Sequence, residues 1–222
     1  MAWIEKTKKT FVSIIQGKFH IQTDENDPMA IKRDVIDKKT GKVSSTKFEL
    51  VYSQLLCKLQ KIDEREGNFG KQLAIYCSDE KGDIIINMPS GCSYAADFLK
   101  RLPNVDLRKN VILSPYSYET KEGKVRQGLG IIQDDVVLPN YYYDPKTKKR
   151  INGITEFPED ATSFESEDWR YFFAKEYKFL VSQALNLNWD KTTEEPNDQQ
   201  KVNNDWMGIA ENSIEGSDDL PF

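Results

Sequence analysis

The chain has 222 residues, of which 38% are hydrophobic and 11% aromatic, enough for a folded core and too many for wholesale disorder. No apolar run reaches the roughly 18–20 residues of a membrane span and the first residues do not form a secretory signal, so we expect a cytoplasmic protein with no membrane partner. The net charge of −5 is unevenly distributed: +6 over residues 1–150, −5 over 151–190 and −6 over 191–222. A basic body with an acidic end indicates interaction with nucleic acid.

Residues 1–46 are predicted to form an N-terminal β extension. Apolar residues cluster at 11–15, 19–21 and 30–36, and the run 37–42, which contains Gly41, is typical of a turn. The segment should add strands to whatever domain follows it.

Residues 47–140 carry the more regular pattern. Strands are predicted over residues 47–62, 71–78, 83–88, 107–118 and 124–133, with a helix over 90–101 that ends at Pro103. The order strand, strand, strand, helix, strand, strand is that of a five-stranded OB barrel, whose helix lies between the third and fourth strands. We therefore predict a mainly β protein built on an OB fold.

Residues 141–187 are predicted to form a basic loop followed by a packing helix. The loop 141–150 holds three tyrosines and four cations, and it suits either a flap over a nucleic-acid backbone or a solvated loop. Apolar residues recur at three- and four-residue spacing from about residue 166 to 187, so one face of that helix should cover part of the barrel. From residue 188 the composition is polar and acidic, which predicts a disordered tail over 188–222.

The last five residues combine charge with an exposed apolar end: Asp218, Asp219, Leu220, Pro221 and Phe222. The ring of Phe222 could enter a small pocket on a partner, an Arg or Lys of the partner could pair its α-carboxylate, and a basic ridge could meet the aspartates. We interpret this tip as a docking peptide, although a generic solubilising tail is the simpler alternative.

This tip resembles the acidic C-terminal tip of bacterial and bacteriophage single-stranded DNA-binding proteins, which ends in aspartates, an aliphatic residue, Pro and Phe. The motif covers residues 218–222, and the rest of the likeness is architectural: an OB barrel, a linker and the tip. The resemblance implies a phage-encoded relative that coats single-stranded DNA without sequence specificity during replication, recombination and repair. It also implies that the tip recruits a polymerase, helicase, primase or nuclease and competes with DNA for the barrel groove.

Tyrosines and cations interleaved on the predicted barrel are the candidate DNA contacts. Non-specific single-strand binding needs flat aromatic faces for the bases and cations along the phosphates. The candidates are Tyr52, Lys58, Tyr76, Tyr116, Tyr118, Lys121, Lys124 and Arg126. The alternative for any one tyrosine is that it pads the barrel or packs under the helix.

Enzymatic signals are weak, and we predict no catalytic residue, metal or cofactor. Cys57, Cys77 and Cys92 are widely spaced and His20 is the one histidine, too few groups for a zinc site. No phosphate-binding Gly-Lys-Ser/Thr loop is present, and Gly128-Leu129-Gly130 lacks the third glycine of a dinucleotide site.

Two other functions remain open. One is a protein-binding adaptor of the replisome that uses the OB barrel and the tail for protein contacts. The other is a magnesium-dependent nuclease, because Asp106 followed by Glu119-Thr120-Lys121 has the spacing of some nuclease sites. The apolar run Trp206-Met207-Gly208-Ile209 in the tail is either a second recruitment motif or a segment that folds back on the barrel.

Overall fold

A computed structural model describes residues 9–37, 39–67 and 70–189, and these form a mainly β protein with a large sheet and a C-terminal helix. The N-terminal strands are β1 (Thr10–Ile15), β2 (Lys18–Gln22), β3 (Ile31–Ile36) and β4 (Val43–Tyr52). The next five are β5 (Leu55–Gly67), β6 (Gly70–Asp79), β7 (Gly82–Pro89), β8 (Val111–Glu119) and β9 (Val125–Gln133). Short strands β10 (Val136–Val137), β11 (Tyr143–Asp144) and β12 (Lys149–Arg150) and helices α1 (Ser93–Arg101) and α2 (Ser166–Leu185) complete the set.

Ten strands form one sheet in the order β10-β9-β8-β5-β6-β7-β1-β2-β4-β3, and β11 and β12 pair separately. All neighbours in the large sheet are antiparallel except β1 and β7, which run parallel with Thr10 opposite Ile84. The predicted order of three strands, a helix and two strands is confirmed over residues 55–133. The N-terminal strands β1–β4 belong to this same sheet.

The prediction of one strand over residues 47–62 is wrong. The chain leaves β4 at Tyr52 and starts β5 at Leu55, with exposed Ser53 and Gln54 between them. The two strands then have different neighbours: β4 pairs with β2 and β3, whereas β5 pairs with β6 and β8. The apolar alternation runs through the junction, so sequence pattern alone does not mark the break.

Strand β1 pairs along the outer edge of β7. The pairing of β1 with β7 does not close the sheet, because among the described strands β9 is not hydrogen-bonded to β7. The turn between β1 and β2 instead lies against β8: a Cβ added to Gly17 would be 2.5 Å from the backbone nitrogen of Ser117. Gly17 also has a φ of +74°, so both its conformation and this close approach require glycine.

The core lies on one face of the sheet, because successive residues of a strand point to opposite faces. Cross-strand partners Ile62, Ile75 and Ile86 share the core face, and Val12 of β1 continues the same row. Helix α1 contributes buried Phe98 and α2 contributes buried Leu180 to the same cluster. The opposite face of these strands is therefore left for other contacts, and we call it the outer face.

Helix α2 confirms the predicted packing helix. It begins with a capping box, in which the Glu165 side chain accepts from the Asp168 backbone and the Asp168 side chain accepts from the Glu165 backbone nitrogen at 3.0 Å. The helix packs against α1 and β5. None of the helices in the described ranges is both long and apolar enough to cross a membrane.

A buried carboxylate joins α2 to the rest of the protein. Glu176 pairs with Lys100 of α1, at 2.8 Å between Nζ and Oε1, and with Arg150 of β12. The Arg150 guanidinium also lies 4.2 Å from the ring centre of Phe157. The loop 141–150 is therefore partly structural, since Tyr142 and the side chain of Arg150 are buried.

A second buried carboxylate, Glu49, joins three of the N-terminal strands. Its oxygens accept hydrogen bonds from Arg33 of β3, at 2.7 and 2.6 Å, and lie 2.8 Å from His20 Nδ1 of β2. The hydrogen bond from Arg33, with a smaller contribution from His20, lowers the pKa of Glu49 to about 2 despite its burial.

Truncating Glu176 should be strongly destabilising. We expect Glu176→Ala to reduce the free energy of unfolding by about 3–5 kcal/mol, because it leaves the buried Arg150 side chain and the half-buried Lys100 without a counter-charge. Urea titration of the variant beside wild-type protein measures this, with exposed Glu167→Ala on the same helix as the control. Equal midpoints for the two variants would contradict the role assigned to Glu176.

The Glu49 cluster predicts a loss of stability in acid. A carboxylate with a depressed folded pKa stabilises the protein above its unfolded pKa of about 4.3, and that contribution disappears as pH falls towards 2. We expect Glu49→Gln to cost about 2–3 kcal/mol at pH 7 and progressively less below pH 4. Denaturant unfolding between pH 7 and pH 3 tests this, with exposed Glu25→Gln as the control. A pH-independent difference would refute it.

Candidate nucleic-acid interface

Strand register gathers aromatic and basic side chains on the outer face. On β5, Lys58 is paired with Ser78, and Lys61 is paired with Tyr76 of β6. A bulge between Leu59 and Lys61 inserts Gln60 and shifts the alternation by one residue. The shift brings Lys61 to the same face as Lys58, although three residues separate them along the strand.

One cross-strand row forms the centre of this surface. Tyr76 is opposite both Lys61 and Ile85, and Ile85 is opposite Phe11 of β1. The Lys61 ammonium lies 4.6 Å from the centre of the Tyr76 ring, Ile85 is only 4% exposed, and Phe11 is 56% exposed. We call this set the Tyr76 patch: Lys58, Lys61, Tyr76, Ile85 and Phe11.

The Tyr76 patch offers two aromatic rings separated by an apolar floor and flanked by ammonium groups. Such an arrangement suits bases, which have apolar faces, attached to a phosphate backbone. Asp63 and Asp83 share the outer face, while Arg65 donates a hydrogen bond to Asn87 across the strands. The charge here is therefore mixed, and the ammonium of Lys61 is the cation that lies directly over a ring.

Tyr52 does not belong to this surface. It ends β4 opposite Phe19, a fully buried core residue, so its register places it on the core side of the sheet, where it is still 42% exposed at the strand end. The predicted placement of Tyr52 beside Lys58 on one strand is wrong, because the chain changes strands between them.

Tyr116 and Tyr118 share one face of β8, and their ring centres are 6.1 Å apart. The Tyr116 hydroxyl donates to Asp97 of α1 at 3.2 Å, and its ring occupies the space that a side chain at Gly128 would need. Burial, followed by the charge of Asp97, raises the pKa of Tyr116 well above its usual range. Tyr116 is thus anchored to α1, whereas Tyr118 is 36% exposed.

The turn between β8 and β9 carries the remaining predicted cations. Arg126 is opposite Tyr118 in the register, and exposed Lys121 and Lys124 lie in the turn itself. Lys124 is 3.9 Å from Glu122, a weak surface pair. This group forms a second patch, which we call the Tyr118 patch: Tyr118, Arg126, Lys121 and Lys124.

The two patches lie on the same face of the sheet but at different ends of its strands. Tyr76 is opposite Lys61 of β5, and Lys58 and Leu56 lie on the same face of β5 as Lys61. Leu56 is in turn opposite Ile112 of β8. Tyr118 is six residues beyond Ile112, and Lys61 is five residues from Leu56 in the opposite direction. In a flat sheet these steps would span about 35 Å, a length that curling of the sheet shortens.

Three residues of the Tyr76 patch, Phe11, Lys61 and Ile85, were not among the sequence predictions. Phe11 is the exposed aromatic, and its signal was present in the alternation of Phe11, Ser13 and Ile15 against Val12 and Ile14. What was missing was the pairing partner, since β7 is distant in sequence. Lys61 could not be assigned because the bulge at Gln60 has no clear sequence signal.

The predicted nuclease residues are far apart. The backbone nitrogen of Asp106 donates to Gln133, at the end of β9, whereas Glu119 is opposite Val125, at its beginning. Eight residues of extended strand correspond to about 26 Å, too far for one metal ion. Asp106 is also engaged by Arg108, whose hydrogen bond lowers the pKa of this carboxyl to about 2. No cluster of three potential metal ligands occurs within residues 9–37, 39–67 and 70–189.

The C-terminal tip Asp218, Asp219, Leu220, Pro221 and Phe222 and the run Trp206-Met207-Gly208-Ile209 lie outside the described residues. Comparisons with protein-family models, with curated proteins and with solved structures each found no significant match. The function must therefore be inferred from the chemistry of the residues themselves.

If the Tyr76 patch stacks bases, removing either ring should weaken binding to single-stranded DNA. We expect Tyr76→Leu and Phe11→Leu each to lower affinity for oligo-dT by about 5- to 100-fold, because leucine keeps apolar area but offers no π face. Fluorescence anisotropy at fixed salt measures this. Tyr52→Leu is the matched control, an exposed tyrosine on the other side of the sheet, and it should bind as wild type does. Equal losses in all three variants would argue against the patch.

Proposed function

We propose that this protein binds and protects single-stranded DNA without sequence specificity and recruits partner proteins through its C-terminal tip. The observation that carries the proposal is the Tyr76 patch, where Lys61 lies over one ring and the exposed ring of Phe11 stands across Ile85. Aromatic rings and cations favour binding through stacking and charge, which depends little on base sequence.

The strand pairing supports an OB-type arrangement as the scaffold. In the order β9-β8-β5-β6-β7, the long first strand β5 pairs with both β6 and β8, and α1 lies between β7 and β8 in the chain. OB folds bind oligonucleotides on the face of their second and third strands. Those strands correspond to β6 and β7, which carry Tyr76 and Ile85. We propose that the hairpin β1–β2 takes part in closing this barrel.

The tail supports the recruiting role through its sequence. Residues 191–222 have a net charge of −6 and end in the tip that resembles that of single-stranded DNA-binding proteins. We propose that the tip binds replication and repair proteins in the cytoplasm of a bacterial or phage-infected cell. Because the tail is acidic, it should also compete with phosphates for the basic surface.

A second candidate function, a protein-binding adaptor, is favoured by the surface of α2. Tyr171 is 75% exposed and Phe173 is 41% exposed, and aromatic side chains are enriched in protein interfaces. In that case the body of the protein would contact another protein, and DNA binding at low salt would be absent.

Titration of labelled oligo-dT across a range of salt concentrations tests the proposal. We expect affinity to fall with a log–log slope of about −0.7 for each phosphate neutralised, and to be similar for oligonucleotides of different sequence. Deletion of residues 214–222 should raise affinity, because the competing anions are removed. A chain in which Asp218 and Asp219 are replaced by Asn separates the effect of charge from that of length.

Two results would count against the proposal. An absence of binding at about 50 mM salt would exclude the DNA-binding function and leave the adaptor. A fall in affinity on deletion of 214–222 would exclude competition by the tail while leaving DNA binding itself intact.

A further inference from the structure

The hairpin of β3 and β4 extends from the edge of the sheet. We call it the ribbon: β3, residues 37 and 39–42 of the turn, and the first half of β4 up to Lys47. Among the described strands β3 is the last of the sheet, and β4 is its one neighbour there. Every residue from Lys39 to Lys47 is exposed, and since successive side chains point to opposite faces, both faces of this part of β4 contact solvent.

The ribbon is strongly basic. Among its described residues the cations are Lys32, Arg33, Lys39, Lys42 and Lys47, and the anions are Asp34 and Asp37. Both anions have local structural partners: Asp34 accepts from Thr46 at 2.7 Å, and Asp37 accepts from the backbone nitrogens of Lys39 and Thr40. Among the described residues, no acidic side chain pairs with Lys32, Lys39, Lys42 or Lys47.

The register makes the ribbon continuous with the Tyr76 patch. Lys47 is opposite Arg33 and two residues from Glu49, which shares the outer face with His20. His20 is opposite Ser13, and Ser13 alternates with Phe11 on that same face of β1. Strand β4 is four strand spacings from β6, so Lys47 lies about 20 Å across the sheet from Tyr76.

From this geometry we propose that the ribbon is a phosphate-binding arm that extends the DNA surface beyond the Tyr76 patch. The proposal rests on the function proposed above. A strand of DNA stacked on Tyr76 and Phe11 would continue across β2 and β4 and meet Lys47, then Lys42 and Lys39 at the turn. These ammonium groups contact phosphate, which carries no sequence information, in keeping with non-specific binding.

A structural role for the lysines is the main alternative, because lysine on an edge strand prevents pairing with other chains. The exposed neighbours Ile36 and Val43, which are opposite each other, would favour such pairing if the lysines were lost. The two roles differ in what a change of charge does: one affects DNA affinity and the other self-association.

The test compares two charge-reversal variants in the full-length protein. Lys39→Glu/Lys42→Glu changes the ribbon, and Lys175→Glu/Lys178→Glu makes the same change in net charge at exposed positions of α2. We expect the ribbon variant to lose about 10-fold or more in affinity for oligo-dT at 50 mM salt and its salt slope to become shallower by about 1.4. The α2 variant should change less than about twofold, with an unaltered slope.

The neutral variant Lys39→Gln/Lys42→Gln keeps the edge free of new acidic charge and should show a smaller loss in the same direction. Equal losses in the ribbon and α2 variants would overturn the arm, since only the overall field would matter. Unchanged affinity with new self-association, measured by sedimentation, would also overturn it. If wild-type protein fails to bind oligo-dT, the proposed function fails before any variant is compared.

Discussion

The outer edge of β7 is the constraint on which the rest of the molecule depends. A strand that contributes Ile84, Ile86 and Met88 to the core cannot leave a row of backbone donors and acceptors unpaired and buried. Strand β1 satisfies them by running parallel to β7, and β2, β4 and β3 follow in turn. The N-terminal strands are therefore part of the architecture of the sheet, and its outer face continues through them without interruption.

Two buried carboxylates, Glu49 and Glu176, each pair with two basic side chains. Glu49 holds Arg33 and His20 on the N-terminal strands, and Glu176 holds Lys100 and Arg150 beneath α2. Each carboxylate binds cations from neighbouring elements and so fixes the orientation of its own strand or helix relative to them. A count of cations along the sequence consequently overstates the charge that remains available for a ligand, most clearly in the loop 141–150, where Arg150 is used internally.

Local pattern was sufficient for the elements with regular alternation. Strands β6 to β9 and both helices were predicted within a few residues, because their apolar periods and turn residues are clear. The break after Tyr52 was missed, since Val51 and Leu55 carry the apolar pattern across it. The bulge at Gln60 and the pairing of β1 with β7 depend on contacts between distant segments, which no local period encodes.

In the candidate site, too, some residues could be identified from local pattern and others only from the fold. Tyr76 and Lys58 were found because each alternates with apolar residues in a regular strand, and the register then placed them on one face. Tyr116 was predicted as a candidate DNA contact on the barrel, but its hydrogen bond to Asp97 and its position over Gly128 required the fold. Phe11 gained its place only through a partner strand more than seventy positions later in the chain.

That separation has a consequence for biosynthesis. Thr10 pairs with Ile84, so the first hairpin emerges from the ribosome well before its partner strand exists. At about 5–20 residues per second, translation takes roughly 4–15 s to supply that partner. Throughout this interval Val12 and Phe19, which end up buried, face water on a nascent chain. Strand β1 therefore cannot dock on β7 until that strand has been made, and chaperones that bind apolar segments have their opportunity during that delay.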